Sequence, residues 1–189
     1  ENGTEVDGTA PIITLYNPIN NSVYGDRAVL LNFVLNEESD VYYLDNINGR
    51  GRWTKICNEC YKYSSKRSFN EGFNNITFRA SDGLGNKANE TRTFFIDSKK
   101  PIIHRTEPRS GYANGVFDVQ YSEDNLKSIK INYGNNETGM KTQELELQNC
   151  SSGKKQWCSV DVDLSDYNEE KIKYWFTVED IAGNVKDSQ

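Results

Sequence analysis

The sequence predicts an all-β chain made of two tandem antiparallel β-sandwich domains. Short runs of alternating apolar and polar residues recur along the chain, and alternation is the period of a half-buried strand. The pattern Asp-x-x-Gly-Asn follows such a run twice, as "DGLGN" at 82–86 and as "DIAGN" at 180–184. The plan of the first half repeats after about ninety residues, which indicates two copies of one unit.

Composition favours the same class. The 189 residues suffice for two domains of about ninety residues each. Aromatic residues make up 12% of the chain, and Tyr and Phe outnumber Trp, which favours strands over helices. No segment carries a helical period, so we expect each domain to consist of short strands and turns.

The first half contains five strand-like segments. Val29, Leu31 and Phe33 alternate with mixed neighbours, and so do Ile76 and Phe78. The segments are "PIITLY" at 11–16, "AVLLNFVL" at 28–35, "VYYL" at 41–44, "NNITFRAS" at 74–81 and "TRTFFID" at 91–97. We expect the stretch around the "CNEC" motif, between the third and fourth segments, to be a connection.

The second half repeats this plan from Pro101 onward. Its strand-like segments are "PIIHR" at 101–105, "VFDVQY" at 116–121, "IKINY" at 129–133, "LEL" and "WCSVDV" around a polar loop at 149–156, and "KIKYWFTVED" at 171–180. The last segment points Tyr174, Phe176 and Val178 to one face and Trp175 to the other.

These observations predict two tandem Ig-like antiparallel β-sandwich domains joined by a short linker. We expect a flexible N-terminal tail at 1–10, the first domain at 11–98 and the second at 99–189. The linker "DSKKP" is short, and its Pro restricts the preceding residue to extended conformations, so the domains are expected to sit end to end as a rod.

The repeated turn motif has a structural explanation. Each copy follows a strand at the same distance after a cysteine, since Cys60 to Asp82 and Cys158 to Asp180 span the same length. A tight turn requires positive φ, which glycine adopts without steric cost, and Asp or Asn can bond the local backbone. We therefore place both motifs between the last two strands of a domain.

The segments "GFNNITFRASDGLGN" and "KIKYWFTVEDIAGN" resemble the penultimate strand and turn of Ig-like or fibronectin-type-III-like repeats in archaeal and bacterial cell-surface proteins. The opening "PIITLYNPINNSV" is similar to repeats of S-layer-type and adhesin-like envelope proteins. The resemblance covers the chain from about residue 10 onward, and the CxxC insertion departs from the commonest pattern. It implies a location at the cell surface more than a reaction.

Four cysteines allow three pairings. Each half carries its own pair before the run to the turn motif, so we expect Cys57 to bond Cys60 and Cys150 to bond Cys158. A redox CxxC site requires a thioredoxin-like context, which the sequence lacks. A zinc site requires both pairs to converge with the usual ligand spacing, and Cys-x7-Cys is not such a spacing.

Acceptor triplets for N-glycosylation are dense for a chain of this length. They begin at Asn2, Asn20, Asn75, Asn89, Asn136 and Asn149. A single acceptor asparagine is also explained as a polar residue of a turn. Together with an even number of cysteines they favour an extracellular, glycosylated protein.

Charge and hydropathy argue against a nucleic-acid partner and against a membrane span within this chain, and they leave open an anchor outside it. The net charge of -6 argues against a nucleic-acid surface, because phosphate binding needs clustered Lys and Arg. No apolar run reaches the length of a membrane span, and the N-terminus does not have the pattern of a signal peptide.

The sequence offers little for catalysis, a cofactor or a metal. The only histidine, His104, lies in a predicted strand without a nucleophile motif. Carboxylates recur at similar positions of both halves and could meet near the domain junction as calcium ligands, although solvated turns explain them better. They are Glu37, Glu38, Asp40 and Asp82 in the first half and Glu123, Asp124 and Asp180 in the second. We expect no enzyme, no cofactor and no metal site.

One loop offers candidate contact residues. Trp53 lies in "NGRGRWTK", flanked by Arg50 and Arg52, and an exposed Trp beside Arg suits a protein or sugar contact. Trp53 could equally cover the edge of its own domain.

The second domain has little sequence left for a final strand. Only "VKDSQ" follows its Gly-Asn, whereas eleven residues follow in the first domain up to Asp97. Either a short strand suffices, or the chain is cut from a longer protein, or a neighbouring chain supplies the strand.

The sequence thus favours a non-enzymatic cell-surface module acting in adhesion, protein contact or envelope architecture. The expected partners are other proteins or surface glycans, with self-association as a further option. The alternative is a carbohydrate- or protein-binding accessory module of a larger secreted enzyme.

Overall fold

The computed structural model describes residues 8–188 and divides the chain into two compact units, Glu1–Ser98 and Lys99–Gln189. The described residues form thirteen β-strands and two single 3₁₀ turns, with no α-helix among them. The prediction of an all-β chain with Ig-like sandwiches is confirmed. The predicted tail at 1–10 lies outside the described residues for positions 1–7.

The first domain contains six strands. They are β1 (Ile13–Asn17), β2 (Ser22–Tyr24), β3 (Ala28–Asp45), β4 (Thr54–Ser68), β5 (Gly72–Ser81) and β6 (Lys87–Ile96). The order is β1-β3-β5-β6-β2, with β4 paired to β3. All pairs are antiparallel except β2 with β6, which is parallel.

The single sheet of the first domain folds over on itself to make both layers of the sandwich. The beginning of β3 pairs with β1 and β4, whereas the end of β3 pairs with β4 and β5. Phe33 from the first part of β3 contacts Phe78 of β5 across the core, with ring centroids 5.9 Å apart. The alternating apolar residues of the sequence are the ones that fill this core.

The second domain contains seven strands. They are β7 (Ile102–Glu107), β8 (Val116–Glu123), β9 (Leu126–Asn135), β10 (Gly139–Glu144), β11 (Gly153–Asp161), β12 (Lys173–Asp180) and β13 (Val185–Asp187). The 3₁₀ turns are Leu147–Asn149 and Ser165–Tyr167.

These strands form two separate antiparallel sheets. One has the order β10-β9-β12-β13 and the other the order β11-β8-β7. The two sheets enclose one core, in which the ring of Phe117 lies 4.6 Å from that of Tyr174. The predicted orientation of the penultimate strand holds, since Phe176 and Val178 are fully buried.

Four local expectations were wrong. One is the segment "LEL" at 145–147, which runs from the end of β10 into the start of a 3₁₀ turn and is not a strand. The segments at 28–35 and 41–44 are one strand, β3, and the stretch around "CNEC" is part of β4 rather than a connection. The expected polar loop at 149–156 contains the start of β11, and β10 has no counterpart among the expected segments. Both missed strands are polar on most of their length, so they carry little apolar alternation to reveal them.

The two turn motifs make the same set of hydrogen bonds. The Asp82 Oδ1 atom accepts from the backbone N–H groups of Leu84 and Asn86 at 2.9 and 2.8 Å, and its Oδ2 atom accepts from the Asn86 side chain at 2.7 Å. Asp180 accepts from Ala182 and from Asn184 in the same way. Gly85 and Gly183 have φ values of 91° and 82°, which explains the glycine in each copy.

Candidate interaction surface

The candidate surface lies on the outer face of the first domain, where β4, β3, β5 and β6 run side by side. The strand register places Tyr42 of β3 between Lys55 of β4 and Arg79 of β5. Arg79 is in turn opposite Asn89 of β6. Trp53 immediately precedes β4 and joins the same patch through Arg79.

A stacked pair forms the centre of this surface. The Arg79 guanidinium lies 3.9 Å from the centroid of the Trp53 ring. The Nε atom of Arg79 also donates to the Asn89 Oδ1 atom at 3.0 Å. Both the stacked and the hydrogen-bonded contact restrain the guanidinium, so the half-buried Trp53 is held by a side chain from a neighbouring strand.

A charged pair borders the surface. Lys55 Nζ lies 2.6 Å from the Asp40 carboxylate and 5.8 Å from the centroid of the Tyr42 ring. The hydrogen bond from Lys55 lowers the pKa of Asp40, to which the backbone N–H of Glu59 also donates. The same bond to Asp40 raises the pKa of Lys55. Both groups are therefore charged at neutral pH.

Amide and hydroxyl groups continue the surface away from Trp53. The Asn46 side chain donates to Asn75 at 2.8 Å and to Thr77 at 2.9 Å. The Thr77 hydroxyl lies 2.9 Å from that of Thr91 on the next strand. The patch thus offers a half-exposed aromatic ring, a guanidinium and a row of neutral polar groups, which together can contact protein or sugar.

The structure assigns the cation at Trp53 to a residue that sequence reasoning missed. Arg50 and Arg52 are exposed and flank Trp53 in sequence, but the guanidinium over its ring is that of Arg79. Arg50 has a φ of 49°, in the turn that precedes β4. Trp53 and Arg79 are far apart in sequence, and they meet because β3 pairs with both β4 and β5. No local spacing in the sequence indicates this contact.

The glycosylation acceptors fall on both domains. Asn2 lies outside the described residues. The side chains of Asn20, Asn89, Asn136 and Asn149 are exposed, whereas Asn75 is half-buried. In the first domain Asn20 accepts from the Thr93 backbone at 2.9 Å, so its amide is oriented by its own fold.

The structure contains the two disulfides Cys57–Cys60 and Cys150–Cys158. Cys57 and Cys60 lie opposite Val41 and Ser39 of β3, where β4 carries extra residues relative to its partner. Cys150 and Cys158 are buried and belong to the core of the second domain. Each bond closes the place where the chain leaves one layer of its sandwich for the other.

Four of the seven carboxylates considered as calcium ligands have protein partners. Asp40 pairs with Lys55, and Asp82 and Asp180 are used by their own turns. The buried Glu123 accepts from the backbone N–H of Asn125 at 2.8 Å. Glu37, Glu38 and Asp124 lie at the surface or close to it.

The remaining candidates lie in the second domain. His104 is exposed on β7, and its Nε2 atom lies 2.8 Å from the Ser122 hydroxyl. Trp175 is half-buried on the outer face of β12, opposite Asn132 of β9. A second Trp–Arg stack was not foreseen: the Arg105 guanidinium lies 4.7 Å from the centroid of the Trp157 ring, and Trp157 is 40% exposed.

Comparison with known proteins finds matches among solved structures only. No protein-family model matches the chain, and no curated sequence matches it. The fibronectin(III)-like modules of CbhA from Clostridium thermocellum are similar with a TM-score of 0.45 and 13% identity, over 94% of this chain and 90% of that one.

Two adhesin structures are similar to this chain over nearly all of its length. A tetra-tandem repeat from the extending region of a large adhesion protein has a TM-score of 0.39 and 12% identity, over 95% of this chain and 47% of that one. A 1.5-MDa bacterial ice-binding adhesin has a TM-score of 0.38 and 16% identity, over 96% of this chain and 64% of that one.

Among residues 8–188, no helix is long and apolar enough to span a membrane.

Proposed function

We propose that the chain is a non-enzymatic extracellular module of a cell-surface protein, acting in adhesion, protein–protein contact or envelope architecture. The observation that carries this proposal is the outer face of the first domain around Trp53. An aromatic ring stacked on Arg79, with Tyr42 and a row of amides and hydroxyls beside it, has the composition of protein contact surfaces. Two disulfides favour an oxidising compartment.

The module acts as a glycosylated rod in this proposal. The short linker that ends at Pro101 supports limited bending between the domains, and the exposed acceptors Asn20, Asn136 and Asn149 support glycosylation. Asn75 and Asn89 carry no glycan in this proposal, because they belong to the Trp53 surface. The rod would hold the Trp53 surface away from the membrane or wall to which the parent protein is attached. Small-angle X-ray scattering of the monomer tests the rod, since a flexible pair would give a broad distribution of maximum dimensions.

Adhesion is tested by attachment of the fluorescently labelled chain to cells and by self-association in sedimentation. Trp53→Ala is expected to reduce attachment or association strongly, because it removes the aromatic anchor of the surface. Trp157→Ala is the matched control, since it removes an exposed Trp from the second domain that is also stacked on Arg. Equal losses in both variants, or no loss in either, would contradict a contact through Trp53.

A carbohydrate-binding accessory module of a larger secreted enzyme is the second candidate function. The observation in its favour is the row of neutral polar groups Asn46, Asn75, Thr77 and Thr91, which continues from the Trp53–Arg79 stack along the same face. A sugar also presents polar groups beside an apolar face. Binding on a glycan array that Trp53→Ala abolishes would favour this function. Cell attachment that free sugars do not inhibit would favour the first.

A further inference from the structure

The longest edge strand among residues 8–188 is β4 of the first domain. It has 15 residues, and β3 is the one described strand that pairs with it. The other edge strands of the described chain have 3 to 9 residues. Proteins usually keep such edges short, because the unpaired N–H and C=O groups can pair with another chain. β4 thus presents the longest row of such groups in this part of the chain.

The pairing with β3 determines which backbone groups of β4 point to its open edge. Phe69 follows β4 directly, and its N–H donates to the carbonyl of the opposite residue, Arg27, at 2.9 Å. Hydrogen-bonded and non-hydrogen-bonded pairs alternate along an antiparallel ladder, so every second residue before Phe69 bonds to β3. The intervening residues include Lys62, Ser64 and Lys66. Their N–H and C=O groups therefore point away from β3, to the open edge.

The side chains of the same three residues share the outer face of their layer. Residues directly opposite each other in a ladder lie on the same face of the sheet. The ring of Tyr63 stacks on the buried ring of the opposite residue, Phe33, with centroids 5.3 Å apart, so Tyr63 faces the core. Its neighbours on β4 alternate with it and face outward, where the opposite residues of β3 are Leu30, Asn32 and Val34.

Two lysines give this edge a positive charge. Lys62 and Lys66 are exposed, and neither is in an ion pair with a described residue. The residues opposite them on β3 are neutral. Positions four residues apart on a strand are separated by about 13 Å, so the two ammonium groups flank the exposed Ser64. An anionic partner therefore fits this edge.

We propose that β4 binds, along residues 62–66, an extended acidic segment of another polypeptide as an added strand. The segment bonds to the open N–H and C=O groups, and it carries Asp or Glu at two positions four residues apart, opposite the two lysines. The site lies where β4 pairs with the first part of β3, whereas Trp53 joins the other layer through Arg79. The proposal does not depend on the Trp53 surface.

Backbone and charge together distinguish this occupant from two others. An anionic polysaccharide would use the ammonium groups but has no peptide backbone to pair with the open N–H and C=O groups. A second copy of β4, paired antiparallel around Ser64, would place Lys62 opposite Lys66 of that copy. Like charges directly opposite each other destabilise a strand pair. An acidic strand satisfies both the backbone groups and the lysines.

The probe is a capped synthetic peptide, "TEVTVET", whose two glutamates are four residues apart and whose Val and Thr favour an extended strand. Hydrogen exchange of the full chain is followed by NMR with and without saturating peptide. We expect the Ser64 amide to exchange roughly tenfold or more slowly with the peptide bound, because its N–H gains an acceptor. The Ser65 amide is an internal control, since it bonds to β3 in either case and should change little.

The contribution of charge is tested with a matched peptide and a matched variant. The peptide "TQVTVQT" should bind at least roughly threefold more weakly at low ionic strength, because two exposed ion pairs are lost. The double variant Lys62→Gln and Lys66→Gln should weaken binding of the acidic peptide by the same factor and leave the affinity of "TQVTVQT" unchanged. Lys87→Gln removes an exposed lysine from β6 of the same domain and should have no effect.

The contribution of the backbone is tested by N-methylation of the acidic peptide at its fourth residue. In the register that places its glutamates opposite the lysines, this residue lies opposite Ser64. Its N–H donates to the Ser64 carbonyl, so the methylated peptide should give no protection of the Ser64 amide. Heparin is the polysaccharide probe, and it should leave the Ser64 amide unprotected.

The outcomes separate the possible occupants. Protection of Ser64 by the acidic peptide, removed by N-methylation and weakened by the lysine substitutions, supports the proposal. Lack of protection overturns it, and the lysines then serve only to keep the edge from associating. Equal binding of both peptides also overturns it. Heparin binding through the lysines without protection by any peptide would make a polysaccharide the occupant. Protection of Ser64 that rises with protein concentration, without peptide, would make a second copy the occupant.

Discussion

The two domains reach the same sandwich in different ways, and the difference lies at the crossing between layers. In the first domain β3 and β4 run through both layers without a break, so one sheet folds over on itself. In the second domain the corresponding strands are divided into β8 with β9 and β10 with β11, so the two layers are separate sheets. A disulfide lies at the crossing in both domains. The disulfide therefore lies at the same place of the architecture in both domains, although the domains differ in their number of strands.

The domains also differ in how much of the core the last strand supplies. In the first domain β6 contributes Phe94 and Ile96 to the core. In the second domain β13 has three residues, all of them exposed. There the large ring of Tyr174 stands at the position of Ile76, and its burial raises the pKa of its hydroxyl. Among the described residues, β13 therefore contributes less to the core of the second domain than β6 contributes to the core of the first.

The largest expected effect tests this second difference. Phe94→Ala should destabilise the first domain by about 3–5 kcal/mol, because it leaves a cavity in a closed core. Val185→Ala in β13 should change the stability of the second domain by less than about 0.5 kcal/mol, because Val185 is an exposed residue of an edge strand. Hydrogen exchange under denaturant, followed separately for the amides of each domain, measures both. Comparable losses would show that β13 supports its core as β6 does.

The second largest expected effect on stability is the loss of a disulfide. The chain-entropy estimate grows with loop length, and the sequence separations are 8 for Cys150–Cys158 and 3 for Cys57–Cys60. Replacing both cysteines by Ser should cost about 2.5 kcal/mol in the second domain and about 1.6 kcal/mol in the first. The continuous pairing of β4 with β3 should further limit the loss in the first domain. A larger loss in the first domain would mean that its bond holds the crossing of the strands rather than a loop.

Local sequence patterns predict the strands that fill the core but not the polar strands or the contacts made across the sheet. Val29, Phe33, Ile76 and Phe78 alternate with polar residues, so the strands that fill the core could be predicted. β4 and β10 are polar edge strands, and their existence depends on pairing with β3 and β9 rather than on their own side chains. Long-range pairing also decides the candidate surface: Trp53 could be named from its loop, but Arg79 meets it only through the sheet.

The repeated turn motif allows a third test, which uses pH. Hydrogen bonds from the Asn86 side chain and from backbone N–H groups lower the pKa of Asp82. A carboxyl group with a lowered pKa in the folded state stabilises the protein above its unfolded pKa, and this stabilisation is lost as the pH falls through the folded value. Asp82→Asn should therefore be less stable than the wild type at neutral pH, and the difference should shrink as the pH falls below the ordinary range of an Asp.

The measurement is denaturant unfolding of the wild type and Asp82→Asn at neutral and acidic pH, with first-domain amides as the readout. Asp26→Asn is a control within the same domain, since Asp26 is an exposed turn residue that accepts a single backbone hydrogen bond. A difference between wild type and Asp82→Asn that stays constant with pH would show that geometry alone, and not the charge of Asp82, stabilises the turn.

The smallest expected effects concern the two Trp–Arg stacks. Arg79→Ala and Arg105→Ala should each cost about 0.5–1 kcal/mol, the usual size of an exposed cation–π contact. Arg79 should be the more costly of the two, because it also donates to Asn89 and its loss releases Trp53 from the sheet. The change in Trp fluorescence upon each substitution, together with the domain-resolved stability, measures this. A greater cost for Arg105→Ala would indicate that Trp157 and not Trp53 is the better-ordered aromatic surface, which would transfer the candidate contact site to the second domain.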